Sequence, residues 1–202
     1  MLYPGFLRAL CMNISFTKGN WEQDFQYAYT WRFPETPKFH QEEDCIVNTK
    51  DGIRQNGCDF TSIMLKEPYE EGAMFTYTTS FESYGAPLFV ITDRLEADED
   101  GILRFGNYYE VVLWHKGVNV WDIRRESGEI RIEWLLRNDF PVEPGRVYEI
   151  TVELGKKRLK IRVDGHYFEL FIPELPEKAY VGLTACEGIN RFYSMKAEKQ
   201  QP

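Results

Sequence analysis

Apolar and polar residues alternate through most of this chain, and nowhere does a 3.6-residue apolar period persist for three turns. In the last third Val147 to Leu154, Arg158 to Asp164 and His166 to Ile172 each alternate, with Gly155-Lys156-Lys157 and Asp164-Gly165 supplying turns between them. Apolar runs around Val181 and Phe192 complete a set of five short strands. Earlier alternation predicts strands at Phe25 to Phe33, Cys58 to Lys66, Ala73 to Glu82, Leu88 to Asp93, Ile102 to His115, Val118 to Arg124 and Glu129 to Arg137. About a dozen strands with no sustained helix predict an all-β sandwich of two antiparallel sheets, with at most one helical turn in a loop such as Pro34 to Asp44.

Turns set the register, and register decides which side chains share a face. A two-residue turn at Lys116-Gly117 pairs Trp114 with Asn119, Leu113 with Val120 and Val112 with Trp121. Val111, Leu113, Val118 and Val120 then face the core, while Glu110, Val112, Trp114, Asn119, Trp121 and Ile123 share the opposite face. The two indoles occupy diagonal positions about 7–8 Å apart at the backbone. In the following strand Ile130, Ile132 and Trp134 alternate with Glu129, Arg131 and Glu133, and a charged set is not expected to face a core. A two-residue turn at Ser127-Gly128 would point those charges inward. The expectation is instead a three-residue loop Glu126-Ser127-Gly128 that pairs Trp121 with Glu133, Ile123 with Arg131 and Arg125 with Glu129, leaving Ile132 and Trp134 buried behind the sheet.

That register assembles a candidate site from Glu110, Trp114, Asn119, Trp121, Glu129, Arg131 and Glu133 on one concave face. A pyranose offers an apolar C–H face that stacks on indole, and hydroxyls that pair with carboxylate, guanidinium and amide groups. The competing reading is an ordinary solvent-facing sheet whose charges form a cross-strand ladder.

Composition narrows the partners. The chain of 202 residues suits one domain, placed at 13–202 behind an N-terminal extension at 1–12. Its net charge of −8 argues against nucleic acid and other anionic partners, because phosphate binding requires a basic surface. No stretch approaches the roughly twenty apolar residues of a membrane helix, so no membrane partner is expected. Met1 to Met12 is too short and insufficiently basic for an export signal, and Leu10 precedes Cys11 where a lipoprotein signal wants a small residue. A cytoplasmic protein with reduced thiols is the expectation, with Met12 as an alternative start.

Cys11, Cys45, Cys58 and Cys186 show no CxxC spacing and His40, His115 and His166 are scattered, so neither a metal nor any other cofactor is expected. The acidic run Glu96 to Gly101 lacks the twelfth-position Glu and flanking helices of an EF-hand. It reads as an acidic turn, with a weak calcium loop at Asp98 and Asp100 as the alternative. No Ser or Cys stands in a nucleophile elbow.

Val163-Asp164-Gly165, Val181-Gly182-Leu183 and Arg191-Phe192-Tyr193 resemble the C-terminal pattern of the concanavalin A-like lectin/glucanase superfamily, which includes laminin G-like lectins and sugar hydrolases. The resemblance implies a jelly roll with sugars on its concave sheet. Within it, Glu129-Ile130-Arg131-Ile132-Glu133 resembles the glutamate, apolar, aspartate, apolar, glutamate strand of laminarinase and lichenase type glucanases. That likeness implies Glu129 as nucleophile and Glu133 as acid/base of a retaining glycosidase. Arg131 departs from the pattern: a guanidinium between the two carboxylates holds both ionised, when a proton donor needs its pKa raised. Residues four apart on a strand also lie about 13 Å apart, against the roughly 5–5.5 Å between carboxyl groups that retention uses. A carbohydrate-binding lectin-like domain is therefore the leading expectation. A glycoside hydrolase using Glu129 and Glu133 and a protein-interaction module stand behind it, since fold alone does not choose among them.

Overall fold

Alternating apolar residues on successive strands need a second apolar surface to bury against, and here two sheets supply it to each other. The computed structural model of the protein describes residues 11–48, 60–83 and 85–199. The strands are β1 (Cys11–Ser15), β2 (Phe25–Tyr27), β3 (His40–Gln41), β4 (Ile46–Val47), β5 (Thr61–Leu65), β6 (Tyr69–Glu70), β7 (Ala73–Phe81), β8 (Ala86–Thr92) and β9 (Leu95–Ala97). They continue as β10 (Leu103–Phe105), β11 (Tyr108–Trp114), β12 (Gly117–Glu126), β13 (Glu129–Asp139), β14 (Tyr148–Gly155), β15 (Arg158–Val163), β16 (His166–Phe171), β17 (Lys178–Cys186) and β18 (Asn190–Lys199). There is no helix among the described residues, hence none long and apolar enough to cross a membrane.

One eight-stranded antiparallel sheet runs β16-β15-β14-β7-β18-β4-β3, with β1 also on β18. The other runs β13-β12-β11-β8-β17-β5-β2, with β6 on β17. Their inner faces interdigitate in one core: Phe89 of the second sheet meets Phe75 and Tyr77 of the first at ring distances of 5.4 and 5.7 Å. Val111, Leu113, Val118, Val120, Ile150, Val152, Ile161 and Phe192 fill the same layer. The architecture is the jelly-roll sandwich expected from the alternation.

Several strands are shorter than their alternation suggests. Of the Phe25 to Phe33 run Phe25–Tyr27 forms a strand, and Tyr29 then makes a single parallel bridge to Arg104 as the chain leaves the sheet edge and crosses its outer face. Ile102 to His115 divides at Gly106-Asn107 into β10 and β11. Pro34 to Asp44 holds no helical turn and instead contributes β3. Cys58 lies outside the described residues, as do Met1 to Leu10; Cys11 and Met12 pair with Glu198 and Ala197.

The β11–β12 turn is His115-Lys116, so Trp114 pairs with Gly117, Leu113 with Val118 and Glu110 with Trp121. This slides the expected pairing by two, which leaves every side chain on the face assigned to it. Gly117 sits in the strand at φ 132°, where a β-carbon would collide with the Asn138 carbonyl.

The next hairpin overturns the expected register. Ser127 and Gly128 both adopt positive φ, 51° and 89°, forming the two-residue turn that matches strand twist. Trp121 therefore pairs with Trp134, Ile123 with Ile132 and Arg124 with Arg131. Ile130, Ile132 and Trp134 join the outer face, while Glu129, Arg131 and Glu133 point to the core side. The premise that one face of this strand must be buried fails: β13 is the last strand of its sheet and overhangs the sandwich, exposed on both faces from Glu129 to Trp134. A bulge opposite Val120 and Trp121 then turns the strand so that Leu135 and Leu136 reach the core.

Candidate functional site

The outer face of the second sheet carries a groove of about 410 Å³. Strand alternation brings Glu110, Val112 and Trp114 from β11, Asn119 and Trp121 from β12, and Ala86 and Leu88 from β8 to its floor. Trp134 and Ile132 form the wall at the β13 edge, and Phe60 and Arg32 stand at the other end. Trp121 and Trp134 lie 4.4 Å apart at 35°, and the Arg137 guanidinium sits 5.0 Å from the Trp134 ring centroid.

Polar chemistry is concentrated under these rings. Glu110 is only 6% exposed, and burial pushes its carboxyl up to about 7 against the opposing influence of Arg32. Glu110 Oε1, Asn119 Oδ1 and Trp114 Nε1 are buried without a hydrogen-bond partner among the described residues. Each such atom costs about 1–3 kcal/mol of desolvation. The side chains of Glu110, Asn119 and Trp114 line the groove beside aromatic faces, while these three atoms themselves lie below its surface.

Of the residues expected to form a site, Glu110, Trp114, Asn119 and Trp121 meet in this groove, and Glu129, Arg131 and Glu133 do not. Arg131 and Glu133 form an ion pair beside a separate groove of about 480 Å³ on the core side of the overhang. There Arg124 bridges Asp122 at 2.9 Å and Glu174 at 2.7 Å. The expected grouping of the carboxylate pair with the indoles is corrected by the two-residue turn at Ser127-Gly128. Asp98 Oδ2 accepts from Arg104 Nε and Oδ1 from the Ile102 and Asp100 amides; the Arg104 bond first, then the amides, hold its carboxyl below the ordinary range as they close the β9–β10 turn.

The pattern of the chain did not single out Trp134, Ile132, Phe60 or Arg32. Alternation does place Trp134 opposite the charged set, and with the correct turn that signal leads to the groove. Phe60 and Arg32 arrive from distant segments, and nothing local to them announces it.

No family model and no curated protein matches this sequence. Solved structures do match its fold. The carbohydrate binding module CBM66 from Bacillus subtilis aligns with TM-score 0.61 at 13% identity, over 87% of this chain and 95% of the module. β-Agarase A from Zobellia galactanivorans aligns with TM-score 0.63 at 9% identity, over 93% and 90% of the respective chains. The exoplasmic/lumenal domain of VIP36, in its Ca2+/Man3GlcNAc-bound form, aligns with TM-score 0.55 at 13% identity, over 89% and 85%. The chain is thereby seen to have the fold of the concanavalin A-like lectins and glucanases.

Proposed function

We propose that the outer-face groove binds a carbohydrate, with Trp114, Trp121 and Trp134 as stacking faces and Glu110 and Asn119 as the polar side chains beside its hydroxyls. The observation that carries this reading is the groove itself, in which the Trp114, Trp121 and Trp134 rings stand beside the polar side chains of Glu110 and Asn119. The fold neighbours add support, since they include a carbohydrate binding module, a VIP36 domain with Man3GlcNAc bound and an agarase. A shallow groove buries little ligand, so affinity is expected to be weak.

A glycan array followed by calorimetry tests the reading. Binding of at least one sugar, lost in Trp121→Ala and weakened in Asn119→Ala, supports it. Absence of binding at millimolar sugar, or binding indifferent to Trp121→Ala, refutes it.

Glycoside hydrolysis is the second reading, favoured by one observation: a carboxyl poised at about 7 is suited to donate a proton near neutral pH. In that case Glu110 would be the donor, because Glu129 and Glu133 lie across the sheet from the groove. Turnover of an aryl glycoside lost in Glu110→Gln, with sugar binding retained, would bring hydrolysis forward.

A further inference from the structure

We propose that the free edge of β13 pairs with β13 of a second copy of this chain, antiparallel and centred on Ile132, so that one sheet runs through both molecules.

β13 ends its sheet, and among the described residues no strand pairs with its outer edge. Which backbone groups that edge offers follows from the hairpin. Glu126 and Glu129 flank the two-residue turn, so theirs is a hydrogen-bonded pair, and hydrogen-bonded pairs then alternate along the ladder. Glu129, Arg131 and Glu133 therefore turn their N–H and C=O groups toward β12, whereas Ile130, Ile132 and Trp134 turn theirs outward. The side chains of those three outward residues are 57%, 46% and 47% exposed. An edge of this kind is a template for another strand. The stretch 129–134 holds neither proline nor lysine, and the bulge falls beyond Trp134.

Charge selects a copy of the same strand as the partner. Arg131 and Glu133, on the core-side face, resist an unrelated apolar strand but match their own sequence run backwards. With the two-fold axis at Ile132, Ile132 meets Ile132 of the second copy and Ile130 meets Trp134 of the second copy, as hydrogen-bonded pairs on the outer face. Arg131 then stands opposite Glu133 of the second copy, and Glu133 opposite Arg131 of the second copy. These are non-hydrogen-bonded pairs, in which Cα atoms approach to about 4.5 Å. Moving the axis to Arg131 sets guanidinium against guanidinium, and moving it to Glu133 sets carboxylate against carboxylate. An axis at Ile130 matches Glu129 with Arg131 but leaves Trp134 beyond the ladder and uncovered. Only the register centred on Ile132 serves backbone, apolar face and charge together. The contact is isologous and closes as a dimer. A ladder this short buries less than a standard interface, so a dissociation constant on the order of 10–100 μM is expected, with monomer prevailing at about 1 μM.

Sedimentation equilibrium from about 1 μM to about 1 mM reads this association, under reducing conditions that keep the exposed Cys11 from linking chains. The wild type is expected to pass from monomer to dimer and no further. Arg131→Glu and Glu133→Arg, both at exposed positions that leave the core intact, each put like charges opposite one another. Each is expected to weaken self-association by roughly tenfold or more. Mixed in equal amounts, the two variants are expected to pair with each other to within about threefold of wild-type affinity, because every charge at 131 and 133 then meets its opposite. A wild type still monomeric at about 1 mM overturns the proposal. So does a dimer indifferent to both reversals, or a mixture that recovers nothing.

Discussion

Replacing Glu110 by Gln isolates the energetic consequence of a carboxyl buried under the groove. Burial raises its pKa from 4.5 to about 7 in the folded protein, with Arg32 opposing the rise. In the unfolded chain the same group titrates near its ordinary value. Between those two values the folded state keeps a proton that the unfolded state has released, so stability is greatest below the unfolded pKa and is lost as pH rises through the folded one. At about 1.36 kcal/mol per pH unit, the difference between 4.5 and about 7 amounts to roughly 3 kcal/mol of stability lost on going from pH 4 to pH 8. Gln at this position has no proton to lose. The stability of Glu110→Gln relative to wild type is therefore expected to rise by roughly 3 kcal/mol across that window. Titrations common to both proteins cancel in the comparison. Urea unfolding followed by tryptophan fluorescence, repeated at half-unit steps of pH and extrapolated linearly, reads the difference directly. Parallel stability curves for the two proteins would refute the burial of an unpartnered carboxyl at this site.

Other substitutions test the packing around the site. Tyr77 is fully buried with its hydroxyl unpartnered among the described residues, so Tyr77→Phe is expected to raise stability by about 1 kcal/mol in urea unfolding; a loss would show that the hydroxyl is satisfied in solution. Gly182 lies where a β-carbon would run into the Ile63 carbonyl and Met64, and Gly182→Ala should cost roughly 2–3 kcal/mol by the same assay. The Arg131–Glu133 pair is exposed and off the groove, so Arg131→Gln should change stability by less than about 1 kcal/mol and leave sugar affinity unaltered. Cys45 is buried with its thiol pushed up to about 12, whereas Cys11 is exposed; iodoacetamide on the native protein should modify Cys11 and spare Cys45, as read by peptide mass spectrometry.

How far the site was legible depended on turns. For β11 and β12 an error of two in the pairing did no harm, because the side-chain period is also two and Glu110, Trp114, Asn119 and Trp121 kept their common face. For β12 and β13 an error of one residue in loop length exchanged the faces, removing Glu129, Arg131 and Glu133 from the groove and bringing in Trp134. Alternation of Glu, Ile and Arg says that the two faces differ without saying which is inward, and the usual rule that apolar means buried does not hold for a strand that overhangs the core.

By itself the sequence determined the class of this protein: the period of two, the glycine-marked turns and the lack of helical periodicity leave an antiparallel sandwich as the way to bury its alternating faces. Those signals are local, carried by residues within a few positions of one another. Tertiary structure alone decided where β13 sits relative to the core, that segment 30–34 straps the outer face, and that Phe33 stacks on Phe60 beside the groove. These contacts join segments that no local spacing relates. They arise because an edge strand and a returning loop settle wherever the assembled sheet leaves apolar surface and hydrogen-bonding groups still to be satisfied.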